Sequence, residues 1–102
     1  MAHSGVVFTL VNHHYLAEPI PESAYEALAA RFTEMRELGL RTFQIIKVAD
    51  DHVILVAVFD SDEAADRVSA RIGSPWLREH VIPRLSSPTE QSFGEALCSL
   101  GF

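Results

Sequence analysis

The chain has 102 residues, 48% of them hydrophobic and 22% charged, with eight Lys and Arg against 14 Asp and Glu for a formal charge of −6. That length supports one domain with one modest core, and the acidic balance, with few and scattered basic residues, argues against a nucleic-acid partner. No apolar run approaches the roughly 20 residues of a bilayer crossing, and the start MAHSGVV lacks the charged and apolar regions of a signal peptide, so a cytoplasmic protein without a membrane partner is expected.

Val6 to Tyr15 (VVFTLVNHHY) is β-branched and aromatic and reads as the first strand. Period-two alternation puts Val6, Phe8, Leu10, Asn12 and His14 on one face and Val7, Thr9, Val11, His13 and Tyr15 on the other. A loop with two prolines leads to a helix from about Glu22 to Leu38, whose buried stripe is Tyr25, Leu28, Phe32 and Met35. Gly39 stands where a glycine ends a helix.

Arg41 to Asp60 (RTFQIIKVADDHVILVAVFD) reads as two strands joined by a turn at Asp50 and Asp51. Its second half, Val53 to Phe59, is apolar without a break, the mark of a strand covered on both faces. Ser61 is an N-cap with Asp62 and Glu63 in the first turn, opening a helix with Ala65, Val68 and Ile72 inward. Gly73-Ser74-Pro75 is expected to stop that helix and start a short one over Trp76 to about Ile82, with Trp76 and His80 on one side. Pro83 and Pro88 bracket a loop. Glu90 to Leu100 is the expected last strand, with Gly94 a bulge and Cys98, the single cysteine, buried within it.

The order strand, helix, strand, strand, helix, strand defines an α+β, ferredoxin-like β-α-β-β-α-β domain, with two helices on one face of a four-stranded antiparallel sheet. The other face is left bare. Either Val53, Leu55 and Phe59 or Ile54, Val56 and Val58 must lie on it, and three large apolar side chains in water cost about 5–9 kcal/mol against a total stability of about 5–15 kcal/mol. The same face of a second copy is the natural cover, because Ser99 to Phe102 is too short for that task. A homodimer follows as an expectation.

The element order, the stretch FDSDEAADRVSARIGSPWLREHVIPRL and the first strand FTLVNHHY resemble the antibiotic biosynthesis monooxygenase superfamily of dimeric α/β barrels, over about Val6 to Leu97. The resemblance implies a ligand cleft between sheet and helices in each subunit, with the bare sheet faces meeting in the barrel. It leaves several activities open, since the superfamily includes cofactor-free oxygenases of polycyclic phenols and quinols, haem-degrading enzymes, isomerase relatives and members with no known activity. In the haem-degrading branch an asparagine late in the first strand corresponds to Asn12, and an iron-ligating histidine to His80 if one residue is inserted. The branch's tryptophan position corresponds to Val68, with Trp76 eight residues beyond it. Arg71, Arg78 and Arg84 are the nearest partners for propionates. In the cofactor-free branch, polar residues orient the substrate's phenol and stabilise its anion, and Asn12, His14, Tyr25, Trp76 and His80 supply those types.

The first expectation is therefore a cofactor-free monooxygenase acting on an aromatic small molecule, with Asn12 and His80 as catalytic residues and His14, Tyr25 and Trp76 binding the substrate. Haem bound through His80 is the alternative, and a non-catalytic dimeric binding or stress-related module is the third. Asn12 interrupts an apolar strand face, and His80 can act as a base near neutral pH. His13 and His14 point to opposite faces and cannot grip one ion together, so no metal site is expected, with His3 and His52 distant in sequence.

Overall fold

The structure is a computed structural model and describes residues 7–100; Val6, His3, Gly101 and Phe102 lie outside them. Four strands, β1 (Phe8–Tyr15), β2 (Leu40–Ala49), β3 (His52–Phe59) and β4 (Glu90–Glu95), form one antiparallel sheet in the order β2-β3-β1-β4. Between β1 and β2 come α1 (Glu22–Ala29) and α2 (Phe32–Glu37), and between β3 and β4 come α3 (Asp62–Val68) and α4 (Ser74–His80). This is the ferredoxin-like arrangement that the element order implies. Among the described residues no helix is long and apolar enough to cross a membrane.

Strand register sorts the side chains. Phe8, Leu10, Asn12 and His14 sit opposite Phe59, Ala57, Leu55 and Val53, and this face carries the helices. Val53, Leu55, Ala57 and Phe59 join Leu28, Met35, Val68, Ile72, Trp76 and Val81 in one buried cluster. On the other face, Val11 pairs with Val56, His13 with Ile54 and Ile46 with Ile54. Of the two candidate trios, Ile54, Val56 and Val58 therefore occupy the open face. Ile54 and Val56 are half-buried by strand neighbours and Val58 is buried, so the uncovered apolar area is smaller than three bare side chains would present.

Several local expectations hold. Ser61 Oγ accepts from Ala64 N–H at 3.0 Å, and Asp50 and Asp51 form the turn between β2 and β3. Gly39 follows α2 with φ +112°, a left-handed conformation that favours glycine. A Cβ there would also lie 2.5 Å from the Ala64 Cβ, so α2 and α3 approach through it.

Other boundaries differ. The predicted first helix is two: Arg31 leaves helical geometry (φ −97°, ψ 6°), and its N–H bonds back to the Leu28 carbonyl, a tightened i→i−3 turn. Leu28 and Met35 are buried as expected, but Phe32 beyond the break is 40% exposed. Gly73 does not stop a helix, having helical φ and ψ. The chain continues from α3 to α4 through a π-helical turn over Ser69–Gly73, where the Ser74 N–H reaches the Ser69 carbonyl. The wider turn accommodates Pro75, which cannot donate a hydrogen bond and would crowd the carbonyl one α-turn back. The last strand ends at Glu95, with Leu97 and Cys98 exposed. Gly94 pairs with Thr9 in unbroken register and forms no bulge.

Candidate functional site

Asn12 is 1% exposed and His14 3%, the buried polar side chains among the described residues. Neither is fully satisfied: Asn12 Oδ1 and His14 Nε2 have no hydrogen-bond partner, a cost of about 1–3 kcal/mol for each such group in a core. Asn12 opens onto a cavity of about 350 Å³ between sheet and helices, whose wall includes Leu10, Leu55, Val68, Trp76, Gln91 and Phe93. Gln91 is the cross-strand neighbour of Asn12 on β4, so two amides flank the same space.

Trp76 enters this wall from α4. Its indole Nε1–H donates to the Ala24 carbonyl at 2.8 Å, so its donor is occupied and its ring is what faces the cavity. Tyr25 lies 6.3 Å from that ring, centroid to centroid, but lines the adjoining cleft. That cleft, of about 930 Å³, runs between α1, α2 and the β2–β3 hairpin past Ile20, Phe32 and Ile45 to Lys47 and Asp50. Leu28, Met35 and Phe43 line both spaces. Burial raises the Tyr25 phenol pKa, which keeps it protonated at neutral pH.

The remaining two predicted residues line neither space. His80 is half-buried, its ring tilted by 46° against that of Trp76 with centroids 5.8 Å apart, as their four-residue spacing implies, and its Nε2 lies 3.3 Å from a Glu79 carboxylate oxygen. Arg84, one of the expected propionate partners, donates to the His80 carbonyl and pairs with Glu18, and Arg71 and Arg78 are exposed. Of the three cations, Arg84 is therefore already engaged, and His80 packs against Trp76 and Glu79. His14 stands two residues beyond Asn12 on the same face, and its Nδ1 lies 2.9 Å from Thr89 Oγ1. Burial, with a smaller contribution from the charge of His13, lowers its pKa and favours the neutral ring.

Thr89 and Gln91 were not legible as site residues. Both follow from the β1–β4 register, and from the segment after α4 docking beside β1, where Ala17 N–H bonds to the Arg84 carbonyl and Ser86 N–H to the Tyr15 carbonyl. On the open face, His13 and His14 do point apart, but the fold brings His13 to His52, with Nδ1 and Nε2 3.0 Å apart. Tyr15 stacks on His52 and donates to Glu90. Among the described residues no group of three or more metal-ligating side chains assembles.

No family model and no curated protein matches the chain. Solved structures do. A variant of SnoaB, a cofactor-independent oxygenase from Streptomyces nogalater, is 21% identical and superposes with a TM-score of 0.69 over 94% of this chain and 98% of that one. The fold is that of the antibiotic biosynthesis monooxygenase-like proteins. The ActVA-Orf6 monooxygenase of Streptomyces coelicolor, solved with nanaomycin D, is also 21% identical (TM-score 0.63, over 93% of this chain and 91% of that one). A candidate antibiotic biosynthesis monooxygenase from Nitrosomonas europaea is 18% identical (TM-score 0.71, 95% and 96%). In this monooxygenase-like fold, the cavity bounded by Asn12 and Trp76 lies between the sheet and the helices.

Proposed function

We propose that this protein is a cofactor-independent monooxygenase of a polycyclic phenol or quinol. The observation that carries this reading is Asn12: an amide 1% exposed whose Oδ1 has no partner and which stands in the wall of an otherwise largely apolar cavity. A buried acceptor of that kind is complementary to a hydroxyl on a flat apolar molecule. SnoaB, with the same fold, is a cofactor-independent oxygenase, and the monooxygenase ActVA-Orf6 was solved with nanaomycin D; both support the reading.

In the proposed reaction the substrate supplies the electrons. An electron-rich anthrone-type anion passes one electron to oxygen, the radicals combine, and the resulting hydroperoxide loses water. One oxygen atom becomes the new carbonyl and the other leaves as water, while the ring CH₂ gives up both hydrogens. Asn12 orients the substrate's hydroxyl, the Trp76 ring packs against its π-face, and the Leu28–Met35–Phe43 wall leads toward the larger cleft. His80 acts from behind Trp76, by holding that ring. The protein works in the cytoplasm as a homodimer joined through the open sheet face.

Oxygen uptake with 1,8-dihydroxyanthrone tests the reaction. Uptake well above the spontaneous rate is expected, falling about tenfold or more in Asn12→Ala. Equal uptake with and without the protein would refute it.

A further inference from the structure

We infer that Asp66 is the general base that turns the substrate into the anion that meets oxygen. This role rests on the reading above for the substrate and the cavity. It fills the step left there without an agent, removal of the first proton from the ring CH₂.

Asp66 stands on α3 in the wall of the cavity of about 350 Å³. Asp66, Ser69 and Gly73 recur at three- and four-residue spacing and all line it, so one stripe of α3 and the π-helical turn is turned to this space. Among the described residues Asp66 is the only ionisable side chain in that wall. Other candidates for a base fail on position or state. His14 and His80 line neither space, and Tyr25 belongs to the adjoining cleft, its phenol kept protonated by burial. The Asp66 carboxylate is also uncommitted. Asp60 is paired with Arg41, Glu34 with Arg31 and Glu18 with Arg84, whereas Asp66 has no hydrogen bond or ion pair among the described residues. Both of its oxygens are available to a proton.

A carboxylate suffices for this step. The CH₂ of an anthrone is flanked by two aromatic rings conjugated with the carbonyl, so the C–H electron pair passes onto the carbonyl oxygen as the proton leaves. A carboxylate held at such a carbon is an effective base although it is weaker than the anion it makes. The C–H bond breaks, the proton goes to a carboxylate oxygen, and the electron pair becomes the anion that reduces oxygen. After the radicals combine, the carboxyl returns the proton to the outer peroxide oxygen. It then takes the second CH proton as the O–O bond breaks, and hands it to the departing hydroxide as water. Asp66 ends as it began, and CH₂ plus O₂ has become C=O plus H₂O.

Deuterium uptake into the CH₂ of 1,8-dihydroxyanthrone, in anaerobic D₂O and read by mass spectrometry, tests the step without oxygen. The native protein is expected to speed exchange well above the protein-free rate, and Asp66→Asn to slow the saturated rate by about 100-fold. Asp66→Glu is expected to retain part of the rate, and Glu63→Gln, on the same helix but outside the cavity, all of it. Asp66 is exposed, so the near-isosteric amide leaves the core untouched, and quenching of Trp76, the single tryptophan, reports binding in each variant. No acceleration by the native protein overturns the assignment. So does an Asp66→Asn protein that exchanges at the native rate, or one whose loss disappears at saturating anthrone. Oxygen uptake is read separately: exchange that depends on Asp66 without uptake keeps the base and removes the oxygenase reading, and uptake unaltered in Asp66→Asn keeps the oxygenase and removes the base.

Discussion

The indole of Trp76 donates its hydrogen to the carbonyl of Ala24 across 2.8 Å, joining α4 to α1 over a span of 52 residues at the wall of the cavity. Trp76 is 7% exposed and Ala24 fully buried, so Trp76→Phe keeps an aromatic ring but removes this hydrogen bond and leaves a small void. The expected loss is about 2–4 kcal/mol, combining the lost hydrogen bond with the missing ring volume. Urea unfolding of the native and substituted proteins measures it, and a loss below about 1 kcal/mol would show that the contact is not a strut of the fold.

Gly39 carries a different constraint. Its φ of +112° and the Ala64 Cβ at 2.5 Å from a built Cβ oppose any side chain for two independent reasons, backbone strain and collision of α2 with α3. Gly39→Ala is expected to cost more than about 2 kcal/mol, and Ala64→Gly combined with it to recover the collision share only. A thermal-denaturation cycle of the two single variants and the double separates those shares.

What the sequence made legible was local. The Ser61 cap, the glycine after α2, the Asp50–Asp51 turn and the opposition of His13 to His14 each follow from a few neighbouring residues. So does the element order, from which the fold was drawn. What stayed hidden depends on pairing between distant segments. The break at Arg31 has no glycine or proline to announce it. Gly73 and Pro75 signalled a stop, yet a π-turn carries the helix through. Only the β1–β4 register brings Gln91 opposite Asn12, and only the docking of the segment after α4 brings Thr89 to His14. Asn12 stood out as a polar residue on an apolar strand face; that His14 shares its unpaired state required the contacts themselves.

The buried neutral ring of His14 links stability to pH. Its folded pKa lies below its ordinary value of 6.5, first through burial and then through the charge of His13. Between the two values the unfolded chain binds the proton and the folded one does not, so stability rises with pH in that window. The folded state is expected to be at full strength above about pH 6.5 and to weaken as pH falls below it, until the folded ring also protonates. Urea midpoints measured between pH 5 and 8 check this, and His14→Gln is expected to flatten the slope by up to one proton.

The open sheet face supplies the last prediction. Val11, Ile54 and Val56 remain half-buried there and Ile46 is 42% exposed on β2, and these side chains lie in adjoining cross-strand pairs. Beside them the His13–His52 and Tyr15–Glu90 contacts give the face a polar end, so two copies related by a two-fold axis must meet apolar to apolar and polar to polar in a restricted register. Sedimentation at micromolar concentration is expected to give twice the 11.3 kDa chain mass. Val56→Asp places a charge in the middle of the face, where neither protomer offers a cation among these residues, and is expected to give the single chain mass while leaving the helical face and its cavity folded by circular dichroism. A native protein sedimenting near 11.3 kDa would mean that the strand neighbours already cover this face well enough to leave it in water, and the two-fold arrangement would fall.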